Sequence, residues 1–225
     1  LRHRVAAGVE HAGVLRHLGA PRTVVDIGAN RGQFALAARH CFPGAWIFSF
    51  EPLAGPAAVY RAVFAGDSQA TLYEVAIGPE PGDAIIHLSA RDDSSSMLPI
   101  AEAQRALFPG TAEIGTRPIR VTRLADQIPE DAIEPPALLK LDVQGFELAA
   151  LAGCEDRIDR FDWVYVECSF VELYVGQSFA DAVIAWLRER GFVLRGVYNM
   201  AYDARGRTIQ ADFLFGRECW RTGLR

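Results

Sequence analysis

The run Thr23-Val24-Val25-Asp26-Ile27-Gly28 constrains this chain more than any other stretch. A β-branched strand stops at a glycine, and helical periodicity, Gly32 to Phe42, takes over directly afterwards. A buried strand fed into a helix is the opening of a βαβ unit, which needs a parallel sheet. The pattern then repeats. Ala45 to Phe50 is a second apolar strand closed by Glu51-Pro52, and Pro56 to Phe64 reads as a helix. Thr71 to Ile77 is a third strand ending at Gly78.

The same alternation resumes at Ala137 to Asp142, followed by helical periodicity from Phe146 to Leu151. Trp163 to Cys168 is a strand, and Phe179 to Arg190 an amphipathic helix closed by Gly191. Val193 to Tyr198 and Gln210 to Phe215 are two last strands. The turn Asp203-Ala204-Arg205-Gly206 joins them, too short for a parallel crossover, so they pair antiparallel. The expected fold is α/β: a seven-stranded, mostly parallel sheet with helices on both faces and a terminal antiparallel hairpin.

Between these halves the chain is less regular. Asp83 to Ser89 alternates like an exposed strand, Ile119 to Leu124 reads as another, and Ala101 to Leu107 as a helical patch. Residues 91–117 are expected to form a lid or substrate loop, because a long irregular stretch inside a compact domain is usually functional. Val5, Val9, Ala12, Leu15 and Leu18 recur at helical spacing, so residues 1–21 are expected to form an N-terminal helical cap. Residues 22–217 then make one domain and 218–225 a tail, a division that suits a chain of 225 residues.

Half of the residues are hydrophobic, which fits a folded core. The net charge of −5 lacks the basic footprint of a nucleic-acid binder. No apolar run reaches membrane-spanning length, and no secretory core follows Leu1-Arg2-His3-Arg4. Leu1 in place of Met is expected of a numbering that starts inside a longer gene product. Cys41, Cys154, Cys168 and Cys219 show neither a CxxC pair nor finger spacing. They read as reduced thiols in a cytoplasmic protein, Cys41 and Cys168 being small buried hydrophobes.

Three places carry chemistry. The first is the turn after Val25, where Gly28 and Gly32 let another molecule approach the backbone outside a strand end. The spacing is Gly-Ala-Asn-Arg-Gly, not the GxGxxG of dinucleotide folds. Asp26 precedes the glycines, where it disfavours a pyrophosphate and suits a cation such as S-adenosylmethionine (SAM), which has an ammonium and a sulfonium. Read alone, the same residues also fit a tight turn with a capping Asp. The second is Glu51, where nucleotide-binding sheets place an acid that accepts hydrogen bonds from ribose hydroxyls. The third is Lys140 to Glu147 with Glu167. Charges in apolar strands need partners or a task. Lys140 and Asp142 share one face by alternation, and an internal Lys–Asp pair is as good a reading as a catalytic one. Asp26, Asp142 and Glu167 at one sheet edge would also suffice for a divalent metal, left unassigned, or for a general base. His87 is a more distant candidate base.

These residues resemble a known family. The run DIGANRGQF from Asp26 to Phe34, FEP at Phe50-Glu51-Pro52 and VAIG at Val75 to Gly78 look like a Rossmann-like class I SAM-dependent methyltransferase. Ser94-Ser95-Ser96-Met97, LLKLDVQGFE from Leu138 to Glu147, VECSF from Val166 to Phe170 and LYVGQ from Leu173 to Gln177 are similar to the FkbM family. The resemblance implies SAM as cofactor and O-methylation of a hydroxyl on a small molecule, a sugar or glycan or a polyketide. It implies Asp26, Gly28, Ala29, Asn30, Gly32 and Phe34 around the methionine end, Glu51 and Pro52 at the ribose, and Ala76 and Ile77 at the adenine. Ser95, Ser96 and Met97 would close over the ligand, with Asp92 or Asp93 near the adenine amino group. Asp142 would sit beside the transferring methyl, with Asp142 and Glu167 the catalytic candidates. Two other functions share this fold, a nucleotide-binding oxidoreductase and a SAM binder without activity. A nucleic-acid methyltransferase is disfavoured by the acidic charge and by Asp142-Val143-Gln144-Gly145 where many amino methyltransferases carry [DN]PPY. A homodimer through the N-terminal helix is compatible with the pattern.

Overall fold

A computed structural model describes residues 5–217; Cys219 and the 218–225 tail lie outside the described residues. In chain order the elements are α1 (Ala12–Leu15), β1 (Thr23–Ile27), α2 (Gln33–Cys41), β2 (Trp46–Phe50), α3 (Ala54–Val63), β3 (Ala70–Tyr73), β4 (Ala76–Ile77) and β5 (Gly82–Ser89). There follow α4 (Glu102–Leu107), β6 (Glu113–Thr122), α5 (Leu124–Gln127), β7 (Ala137–Leu141), α6 (Glu147–Gly153), β8 (Trp163–Ser169), α7 (Ala180–Glu189), β9 (Phe192–Tyr202) and β10 (Thr208–Arg217).

The main sheet has seven strands in the order β3-β2-β1-β7-β8-β10-β9. The first five run parallel, while β10 is antiparallel to both β8 and β9. Strands β1 and β7 are buried along their whole length, as expected of a parallel sheet covered on both faces. Alternation divides the core. Val25, Ile27, Leu139 and Leu141 pack with Leu151 and Leu187 on one face. Val24, Leu138 and Ile47 pack with Leu15, Ala38 and Tyr60 on the other. The order reverses about β1, with β2 on one side and β7 on the other, and that crevice is where such sheets bind ligands.

Four expectations are corrected. The Thr71–Ile77 run is two strands in two sheets: β3 stops at Tyr73, and β4 pairs parallel with β6 in a three-stranded sheet ordered β4-β6-β5. The chain leaves the main sheet there to cross α6. It passes so closely that a Cβ at Gly153 would lie 2.5 Å from the Gly78 carbonyl oxygen. Residues 113–117 belong to β6, antiparallel to β5, so the irregular stretch ends before Glu113. The N-terminal helix is short, a 3-10 turn at Val9–His11 running into α1; Gly8 instead donates its N–H to the Gln33 carbonyl at 2.9 Å. Cys41 is only partly buried, whereas Cys168 is buried as expected; Cys154 is buried too. No described helix is long and apolar enough to cross a membrane.

Candidate active site

Strand β1 ends in a sharp turn. Gly28 adopts φ +78°, and a Cβ there would fall 1.8 Å from the Asp142 carbonyl oxygen. Only glycine fits such an approach. The Gly28 and Ala29 N–H groups both reach the Phe50 carbonyl at 3.0 Å, which ties the turn to the end of β2. Asn30 follows at φ 46°. Gly32 serves packing: a Cβ there would meet the Tyr60 and Phe64 rings at 2.9 Å.

Glu51 closes this turn from β2. Its Oε2 accepts from Asn30 N at 3.0 Å and its Oε1 from Leu53 N at 2.8 Å. Each oxygen keeps a lone pair for a ligand hydroxyl. Burial raises the Glu51 pKa to about 7 against the opposing pull of those two N–H groups.

Asp26 is fully buried, with Oδ1 3.0 Å from Lys140 Nζ on the adjacent strand. The ammonium also donates to the Gly28 carbonyl at 3.0 Å and stands 5.4 Å from the Phe34 ring centre. Burial opposes its charge, but Asp26 and Asp142 outweigh burial and raise the Lys140 pKa. The internal Lys–Asp pair is therefore real, with Asp26 as the partner. The acid expected to face a cationic ligand instead stands behind Lys140, because the register sets Asp26 beside it.

Beyond β7, Gln144 organises the next turn at φ 55°. Its Nε2 donates to Asp142 Oδ1 at 2.7 Å and to Glu167 Oε2 at 3.1 Å. Its Oε1 accepts from the Tyr174 hydroxyl at 2.6 Å, and its carbonyl accepts from Ser96 Oγ at 2.6 Å. Glu147 braces the turn, accepting from Val143 N and Gly145 N at 3.1 and 3.0 Å. Glu167 is also held by Gln210 Nε2 at 2.9 Å. Burial first, then the Asp142 charge, raises its pKa well above the usual carboxylate range.

These turns line a cavity of about 250 Å³. Of the expected residues, Gly28, Ala29, Asn30, Phe34, Glu51, Pro52, Ala76, Ile77, Ser95, Ser96, Met97 and Asp142 are in its wall, as are Asp92 and Asp93. Asp26, Gly32 and Glu167 are not. Lys140, singled out in the sequence but given no place at the ligand, also lines it, as do Glu10, His11, Gln33 and Gln144, to which the sequence reading assigned no role. A bond from the Arg31 guanidinium to Asp92 at 2.9 Å joins the glycine turn to the loop carrying Ser95 to Met97. His87 lies outside this wall, paired with Glu113 at 3.0 Å on the small sheet. Among the described residues, no three His, Cys, Asp or Glu side chains gather as metal ligands would.

Residues 26–194 match the methyltransferase FkbM domain. The chain belongs to this family. FkbM methyltransferases similar to it include the 2-O-methyltransferase NoeI of Sinorhizobium fredii (strain NBRC 101917 / NGR234), 32% identical over 72% of this chain and 69% of that protein. A second is the 31-O-demethyl-FK506 methyltransferase FkbM of Streptomyces tacrolimicus, 30% identical over 76% and 72%. The fold is similar to that of the magnesium protoporphyrin IX methyltransferase ChlM from Synechocystis PCC 6803 solved with bound SAM. The TM-score is 0.51 at 12% identity, covering 93% of this chain and 81% of that one. The protein is a SAM-dependent methyltransferase, and the oxidoreductase and inactive-binder readings give way to that.

The cavity suits SAM. Glu51 would offer two acceptor oxygens to a ribose diol, and Val75, Ile77, Ile86 and Phe146 would give a base an apolar slot. Lys140 has three protons and two protein acceptors, leaving one for a carboxylate. Because a ribose diol needs the ionised Glu51, SAM binding to this FkbM protein should release a proton below pH 7. Affinity is then expected to be about tenfold weaker at pH 6 than at pH 8. Calorimetry in buffers of different ionisation enthalpy counts that proton. Glu51→Gln should abolish the pH dependence, and an unchanged profile in that variant would refute the assignment.

Proposed function

We propose that this enzyme methylates a hydroxyl of a small molecule, a sugar or glycan or a polyketide, with Asp142 accepting the proton. The observation that carries this is the asymmetry of the Asp142 carboxylate. Its Oδ1 is occupied by Gln144, among the described residues no side chain or N–H is bonded to its Oδ2, and the residue lines the cavity suited to SAM. The names of both relatives specify transfer to oxygen.

SAM supplies a methyl already activated on a sulfonium. The protein must orient the acceptor, exclude water and take the hydroxyl proton. Asp142 is placed for the last task. Glu167 lies outside the cavity wall and accepts from Gln144 Nε2, which makes it a positioning residue rather than a second base. The segment carrying Asp92 to Met97 closes the cavity from above as a lid. Incubation with labelled SAM and a library of hydroxylated small molecules tests the reading. Label recovered as a methyl ether supports it; label recovered on nitrogen, carbon or sulfur alone would overturn it.

A further inference from the structure

The 3-10 turn Val9–His11 lies outside residues 26–194, which match the FkbM domain, yet Glu10 and His11 are in the wall of the cavity suited to SAM. We propose that this turn binds the α-ammonium of SAM. His11 Nε2 accepts one of its protons, and the Glu10 carboxylate supplies the opposite charge. The assignment is independent of which group is methylated.

An ammonium leaving water needs acceptors, and the glycine turn has few to offer. Asp26, the acid expected to face a cation, is committed to Lys140. The Gly28 carbonyl also accepts from Lys140. Of the carboxylates in the wall, Asp92 and Asp93 are paired with Arg31 and Arg91. Glu51 accepts from two backbone N–H groups, and Asp142 accepts from Gln144. Among the described residues Glu10 has only His11 as an ion-pair partner, with Oε1 3.6 Å from Nε2.

A buried network decides which edge of His11 is free. Asp212 Oδ2 accepts from the Tyr165 hydroxyl and from Asn199 Nδ2, each at 2.7 Å. The hydroxyl has one proton, and that carboxylate takes it. Toward His11 Nδ1, 3.1 Å away, the Tyr165 oxygen is therefore an acceptor. Nδ1 carries the ring proton, and a neutral imidazole so held presents a lone pair at Nε2. Among the described residues no hydrogen bond reaches Nε2. Strands β8, β9 and β10 thus fix the orientation of a side chain on a short turn. The ring also meets Phe34 edge to face at a centroid distance of 5.2 Å. Lys140 Nζ stands 5.4 Å from the same Phe34 ring. Phe34 is therefore flanked by a donor for the SAM carboxylate and an acceptor for its ammonium.

Calorimetry with three probes tests the assignment: S-adenosylhomocysteine, its analogue without the α-amino group, and its analogue without the α-carboxyl. His11→Ala should weaken the two probes that have the ammonium by about tenfold or more, the scale of a hydrogen bond to a charged group. The amine-free analogue should lose less than about twofold, since it never made that bond. Glu10→Gln should show the same preference with a loss of about threefold, because its side chain is 56% exposed. Equal losses for all three probes in the His11 variant would mean that the residue only holds the fold, and would overturn the proposal. So would a loss confined to the probes with the carboxyl, or S-adenosylhomocysteine binding as in wild type. Failure of the wild-type protein to bind any probe would remove the SAM cavity itself.

Discussion

Asp142→Asn is expected to lower kcat by about two to four orders of magnitude, the usual contribution of a positioned general base. The substitution keeps shape and volume. An asparagine oxygen can still accept from Gln144 Nε2, now 2.7 Å from Asp142 Oδ1, so the turn and the SAM cavity should survive. What disappears is the charged oxygen that would take the hydroxyl proton. SAM affinity should stay within about twofold, separating lost chemistry from lost binding. Glu167→Gln is the matched control. Glu167 lies outside the cavity wall and touches Gln144 rather than the space beside Asp142, so its amide should cost less than about tenfold. Single-turnover rates and calorimetry on both variants decide the matter. A kcat for Asp142→Asn within threefold of wild type would remove Asp142 as the base.

Lys140→Met should cost about 3–5 kcal/mol of folding free energy, the usual penalty for orphaning one partner of a buried ion pair. Asp26 has no exposed surface, and among the described residues its Oδ1 has no other partner. The Gly28 carbonyl loses a donor at the same time. Such a loss is a large share of the 5–15 kcal/mol by which domains are typically stable. The pair Asp26→Asn with Lys140→Met should recover much of it, because the cost lies mainly in an unpaired buried charge rather than in a lost attraction. Urea unfolding of the two single variants and the double variant completes the cycle. A single-variant cost below 1 kcal/mol would mean that water or another group compensates Asp26.

Much of the main sheet could be read from the chain, because β1, β2, β7 and β8 are apolar runs bounded by turn residues and need only local signals. The cavity residues on the glycine turn were legible for the same reason. The small sheet was not. The first six residues of β6 are exposed on both faces, so they show no alternation of the kind that marks a half-buried strand. The partnership of Asp26 with Lys140 depends on register between strands more than a hundred residues apart; periodicity reports a shared face, not a neighbour. His11 reaches the cavity through tertiary packing of a short helical turn with a weak pattern. Gln144 did carry a signal: it stands beside Gly145 in the Lys140–Glu147 run, and a polar residue at such a turn needs partners for its amide.

The Arg31–Asp92 contact is a weak seam. Both side chains are more than a third exposed, and ion pairs in that setting are worth about 0–1 kcal/mol and weaken with salt. The far end of the segment carrying Asp92 to Met97 is held differently: buried Ser96 donates its hydroxyl to the Gln144 carbonyl at 2.6 Å and exchanges backbone hydrogen bonds with His87. Added salt should therefore loosen the margin beside the glycine turn while the Ser96 side stays anchored, so the segment is tied down on one side and merely buttoned on the other.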